Sequence, residues 1–142
     1  MHGDSTFVDT NVILYSVDAR DAGKQVLAQA WMHRLWETGS GRLSWQVLNE
    51  FYVNATRKAG LNREPAREIV RSLTQWMPCE TTPGLLERAW HWSDRAQLSY
   101  WDSLILAAAE RTGCRWLLSE DFQEGRTFEG VTVVHPFRRG PS

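Results

Sequence analysis

The sequence predicts an α/β fold, a parallel sheet covered on both faces by helices. Two observations point to it: short β-type runs alternate with longer amphipathic stretches, and Gly or Pro punctuates the boundaries. The chain has 142 residues, 42% hydrophobic and 23% charged, which fits a globular core and one domain spanning residues 1–142.

Thr6-Phe7-Val8 reads as the first strand, and Asp9-Thr10-Asn11 as a turn into a helix that begins with Val12-Ile13-Leu14-Tyr15. A helix follows from Gln25 to Thr38, stopped by Gly39-Ser40-Gly41. Arg42-Leu43-Ser44 is compatible with a second strand. Between Gln46 and Lys58 an apolar stripe of Val47, Leu48, Phe51, Tyr52 and Ala55 predicts a helix closed by Gly60. Pro65 suits the first turn of the next helix, which carries Ile69, Val70, Leu73 and Trp76 and stops at Pro78. Pro83-Gly84 opens another. Trp101, Leu104, Ile105 and Ala108 share one face of a further helix ended by Gly113. Trp116-Leu117-Leu118 and Val131-Thr132-Val133-Val134 are the last strands, separated by a polar loop, and a frayed tail is expected from Arg138.

Composition narrows the function. The longest apolar run, Leu104 to Ala109, is too short to cross a bilayer, and Met-His-Gly-Asp-Ser is no secretory signal, so a cytoplasmic, membrane-free protein is expected. Cys79 and Cys114 lack zinc-site spacing and read as reduced thiols. The histidines at 2, 33, 91 and 135 have no metal-binding or catalytic spacing. Eight tryptophans are read first as packing residues, with base stacking by Trp45 or Trp101 second. A formal net charge of −1 gives no global attraction for nucleic acid; Arg57, Lys58, Arg63, Arg67 and Arg71 are the local candidates for phosphate contact.

Four acids stand out. Asp9 and Asp121 follow predicted strands, where ligands of open parallel sheets bind. Asp102 lies in a first helical turn and Glu50 beside an apolar stripe. Carboxylates gathered in one cleft repel one another unless a cation neutralises them, and oxygen-only ligands favour Mg²⁺ or Mn²⁺. Thr10, Asn11 and Ser119 could orient the carboxylates or bound water. Each acid also has a plain structural reading: a helix cap for Asp9, a first-turn charge for Asp102, a turn for Asp121, and an ion pair with Arg57 or Lys58 for Glu50.

The motifs, in order, resemble the PIN domain, and within it the VapC-type toxins. The matching segments are Phe7-Val8-Asp9-Thr10-Asn11-Val12-Ile13-Leu14, Leu43-Ser44 with Gln46-Val47-Leu48-Asn49-Glu50-Phe51, Tyr100-Trp101-Asp102-Ser103-Leu104-Ile105-Leu106-Ala107-Ala108-Ala109, and Leu118-Ser119-Glu120-Asp121-Phe122. Ser103 departs from the family's usual Ala. The resemblance spans Phe7 to Pro136. It implies a three-layer PIN-like fold with a five-stranded parallel sheet. It also implies a Mg²⁺- or Mn²⁺-dependent endoribonuclease acting as a toxin, with an RNA substrate, a cognate antitoxin and a homodimer. Asp9, Glu50, Asp102 and Asp121 become catalytic metal ligands or water activators, with Asp121 favoured over its neighbour Glu120.

Rival enzymes fit less well. A haloacid-dehalogenase-like phosphatase needs a second Asp at position 11, which is Asn, and a receiver domain needs an acidic pair and a late Lys that are not apparent. The alternative that stays open is a catalytically silent PIN-like module that binds RNA or protein.

Overall fold

The computed structural model describes residues 4–141. Its strands are β1 (Thr6–Val8), β2 (Gly41–Arg42), β3 (Trp116–Leu118), β4 (Thr127–Phe128) and β5 (Val131–Val134). The helices are α1 (Thr10–Val17), α2 (Ala22–Thr38), α3 (Trp45–Arg57), α4 (Arg63–Leu73), α5 (Pro83–Ala96) and α6 (Tyr100–Arg111). The sheet order is β2-β1-β3-β5-β4. β1 pairs in parallel with β2 and β3, and β3 with β5, so that Val8 stands opposite Leu118 and Leu118 opposite Val134.

The edge corrects the all-parallel expectation, because β4 runs antiparallel to β5. Only Glu129 and Gly130 separate Phe128 from Val131, and a connection that short can close a hairpin but not a parallel crossover. Glu129 takes a left-handed conformation at φ 56° to make the turn. In the sequence this segment reads as polar loop, since two residues carry no visible alternation.

Connectivity sets the position of the site. From β1 the chain crosses to β2 on one side, and later returns to β3 on the other. The crevice beyond the carboxyl ends of β1 and β3 is therefore the topological switch point of the sheet. α6 packs against α5, β3 and β5, and Ser103 to Ala109 are all buried, so its Leu-Ile-Leu-Ala-Ala-Ala run suits a helix enclosed on every side. α1 packs on α2 and α3, and α3 on α4.

Local chemistry explains most boundaries. Ser44, Thr82 and Ser99 cap α3, α5 and α6 by accepting the N–H of Val47, Leu85 and Asp102. Ser44 thus serves as a cap rather than a strand residue, and β2 lies at Gly41–Arg42. Gly41 is needed there because the Trp76 indole occupies the space a Cβ would fill. α4 ends at Leu73, earlier than Pro78 suggests, and continues as one 3-10 turn over Thr74–Trp76 before Met77 turns left-handed at φ 51°.

One further expectation fails. The tail beyond Arg138 is anchored, not frayed: the buried Trp31 indole donates to the carbonyls of Pro136 and Arg139, each at 3.0 Å. The tryptophans divide, with Trp76 and Trp116 packed against the core. Trp31 and Trp92 are buried, whereas Trp36, Trp45, Trp90 and Trp101 are exposed. Both cysteines are free, and His2 lies outside the described residues. No helix among the described residues is long and apolar enough to cross a membrane.

Candidate active site

The fold brings the four sequence-selected acids to one cavity of about 210 Å³ at the switch point, lined by Asp9, Glu50, Asp102 and Asp121 with Thr10, Asn11, Gln46, Asn54 and Trp101. Four separate segments supply them. Asp9 ends β1 and caps α1, Glu50 lies in α3, Asp102 in the first turn of α6, and Asp121 just past β3.

Neutral groups hold three of these carboxylates. Asp9 accepts the Thr10 N–H on Oδ1 at 2.7 Å and the Ser119 hydroxyl on Oδ2 at 2.7 Å. The plain cap reading of Asp9 is therefore true as well, on one of its two oxygens. Glu50 Oε1 accepts the Thr10 hydroxyl at 2.9 Å, and among the described residues Glu50 forms no ion pair with Arg57 or Lys58. Asn11 Nδ2 donates to Asp121 Oδ2 at 3.1 Å, while the Asp121 N–H donates to the Ser119 hydroxyl. Thr10, Asn11 and Ser119 thus each orient a carboxylate.

Glu120 and Asp121 are separated by a residue from far along the chain. Lys24 of α2 pairs with Glu120 at 3.0 Å, and Asp121 alone of the two lines the cavity. No sequence signal links positions 24 and 120. Gln46 and Asn54 were also passed over, although they lie one helical turn either side of Glu50, a relation that helical periodicity could have found.

The electrostatics are strained. Burial pushes Asp9 up from its ordinary value of 3.8 to about 7; the Ser119 and Thr10 hydrogen bonds oppose the rise, and the charges of Asp121 and Asp102 add to it. Asp102 is raised by burial and by Asp121, and Asp121 by burial and by Glu120. Asn11 Oδ1 is buried without a partner. A cation would relieve each of these features.

Among the described residues, however, no three Asp, Glu, His or Cys side chains already converge as a closed ligand set. An all-oxygen donor set still suits Mg²⁺ or Mn²⁺ chemically, because Mg²⁺ keeps several waters and often takes only one or two protein carboxylates.

The basic cluster divides. Arg67 and Arg71 are paired with Glu64, and Arg71 also with Glu68. Arg57, Lys58 and Arg63 are exposed, and Arg57 lies one turn beyond Asn54 on α3.

Comparison with known proteins identifies the fold and the family. No curated protein matches the chain. The crystal structure of VapC20 from Mycobacterium tuberculosis, described as a sarcin–ricin loop cleaving toxin, is similar with a TM-score of 0.62 and 24% sequence identity. That likeness covers 82% of this chain and 92% of the VapC20 chain, and speaks to the fold. The model of the PIN domain family matches residues 6–126, a span that includes all four acids, and the chain belongs to that family.

Proposed function

We propose that this protein is a Mg²⁺- or Mn²⁺-dependent endoribonuclease of the VapC toxin type. The observation that carries the reading is the convergence of Asp9, Glu50, Asp102 and Asp121 from four segments on one cavity, with neutral partners on three of them and, among the described residues, no protein cation to balance them. A bound divalent ion would supply the missing positive charge, acidify water and draw in the substrate phosphate. Asp9, Asp102 and Asp121 are the residues assigned to hold it. Ser119 and Thr10 keep both Asp9 oxygens oriented, and Asn11 does so for Asp121. Glu50 Oε1 is engaged by Thr10, which leaves Oε2 to accept the proton of the attacking water as the phosphorus–oxygen bond to the leaving oxygen breaks.

The reading carries with it a cytoplasmic setting, a homodimer and a cognate antitoxin. The similar VapC20 is described as cleaving the sarcin–ricin loop, which makes that RNA the first substrate to try. The silent-module alternative draws support from the lack of a closed ligand set among the described residues. Incubating purified protein with sarcin–ricin loop RNA and with total tRNA separates the two. Cleavage in Mg²⁺ or Mn²⁺ that is lost in EDTA and in Asp9→Asn is the expected result. Equal cleavage by wild type and Asp9→Asn in EDTA would overturn the mechanism, and no cleavage of any RNA would favour the silent module.

A further inference from the structure

Helical spacing puts Trp101 on the same face of α6 as Leu104, Ile105 and Ala108. Those three are buried, yet Trp101 is 61% exposed. Burial along α6 begins only at Ser103, so the first turn projects past the core and carries the indole into the acidic cavity. One contact meets the ring and a second fixes the backbone that carries it. Tyr100 packs edge-on against it, with centroids 5.4 Å apart at 71°, and Gln46 Nε2 of α3 donates to the Trp101 carbonyl at 3.3 Å. Trp101 is the one aromatic side chain among the described residues lining the cavity.

A ligand matching this cavity must bring an anionic group to the acids through a cation, and a flat apolar face immediately beside it. A nucleotide unit has that composition. An apolar protein surface laid over Trp101 would also cover carboxylates and the amides of Gln46 and Asn54, and would leave them without water or partners.

We propose that Trp101 is the stacking platform for an unpaired RNA base next to the phosphodiester held by the acids. The inference rests on the ribonuclease reading above and adds a positioning residue to it. Stacking on an indole is tolerant of base identity, so Trp101 selects for an unstacked, accessible nucleotide rather than for a sequence. Gln46 and Asn54 stand at the same cavity to meet the base edge.

The test uses two labelled probes, a short oligoadenylate and an abasic ribose-phosphate oligomer of equal length. Binding is followed by fluorescence anisotropy with Mg²⁺ in an Asp9→Asn background. Trp101→Ala weakens oligoadenylate binding roughly 5- to 100-fold, the range expected for one stacked base. It leaves the abasic oligomer within about twofold, and Trp101→Phe restores most of the loss. In the active protein the Trp101→Ala defect falls on KM more than on kcat. Unchanged oligoadenylate affinity in a folded Trp101→Ala protein overturns the proposal, as does an equal loss for both probes. A changed sedimentation coefficient with RNA affinity intact also overturns it, assigning the surface to a second copy of the chain. If the parent neither binds these probes nor cleaves any RNA, the ribonuclease reading falls first and takes this one with it.

Discussion

Asp9 and Glu110 are both acids withdrawn from solvent, but the protein treats them in opposite ways. Glu110, on α6, accepts a two-point hydrogen bond from Arg88 of α5 at 2.9 Å per contact and the Trp92 indole N–H at 2.6 Å. Arg88 also pairs with Glu129 in the β4–β5 turn at 2.8 Å, so one guanidinium ties α5, α6 and the edge hairpin together. Its charges are closed within the molecule. Asp9 receives only a hydroxyl and a backbone N–H, and the nearest charges that act on it are negative. Glu110 has the arrangement of a structural clamp, whereas Asp9 has that of a site waiting for an external cation.

The largest expected effect tests this contrast without reference to RNA. A carboxyl raised from 3.8 to about 7 binds its proton more tightly in the folded protein than in the unfolded chain. The stability it contributes is complete below pH 3.8 and is lost as pH rises through about 7. At about 1.4 kcal/mol per pKa unit, the swing is on the order of 4 kcal/mol. Thermal melts in EDTA should therefore show wild type losing stability between pH 4 and 8 more steeply than Asp9→Asn, which has no such proton to lose. Mg²⁺ should restore wild type most at the alkaline end. Parallel pH curves for the two proteins would remove the asymmetry from which the contrast is drawn.

Next in size is Ser119→Ala. The hydroxyl stabilises the ionised form of Asp9, so its loss moves the Asp9 pKa higher still and shifts the acid limb of the cleavage profile to higher pH. Rates at neutral pH are expected to fall about 10- to 100-fold, as is common when a group orienting a metal ligand is removed. A uniform loss with no shift of the limb would reduce Ser119 to a packing residue.

Glu110→Gln should cost about 1 kcal/mol in urea melts, a modest figure because Arg88 is partly exposed and screened, and it should leave cleavage untouched. A large loss of activity would show that the clamp and the acidic cavity are coupled through α6. Smallest of all, Glu120→Gln should change cleavage by only about twofold to fivefold, through looser placement of the loop once held by Lys24. Asp121→Asn should be far more damaging. Comparable losses in the two variants would mean that both acids serve the site.

These contrasts also explain which parts of the molecule can be read from the chain. Glu50 is conspicuous because an acid beside the Val47, Leu48, Phe51 and Ala55 stripe is hard to place in a core. Asp9 is conspicuous because it ends a strand and opens a helix. The Lys24–Glu120 pair and the Arg88 clamp are invisible, since their partners are 96 and 22 residues apart and nothing local marks them. Trp101 misleads in the other direction. Its periodicity says core, but periodicity does not reveal that the first turn of α6 overhangs the sheet.

By itself, then, the sequence determined the alternating layers, the family, and four acids that meet at one cavity, with the three polar residues that hold three of them. Each of those rests on local preference: strand-to-helix turns, apolar stripes, and short side chains that cap or orient their neighbours. Tertiary structure decided the antiparallel edge, the placing of Asp121 rather than Glu120 at the cavity, the exposed Trp101 and the raised pKa of Asp9. The last three depend on burial, on how far an element extends past its neighbours and on which distant charge arrives beside it, whereas the edge follows from a two-residue hairpin whose strands are too short to show alternation. Folding brings those distances about, and no stretch of chain contains them.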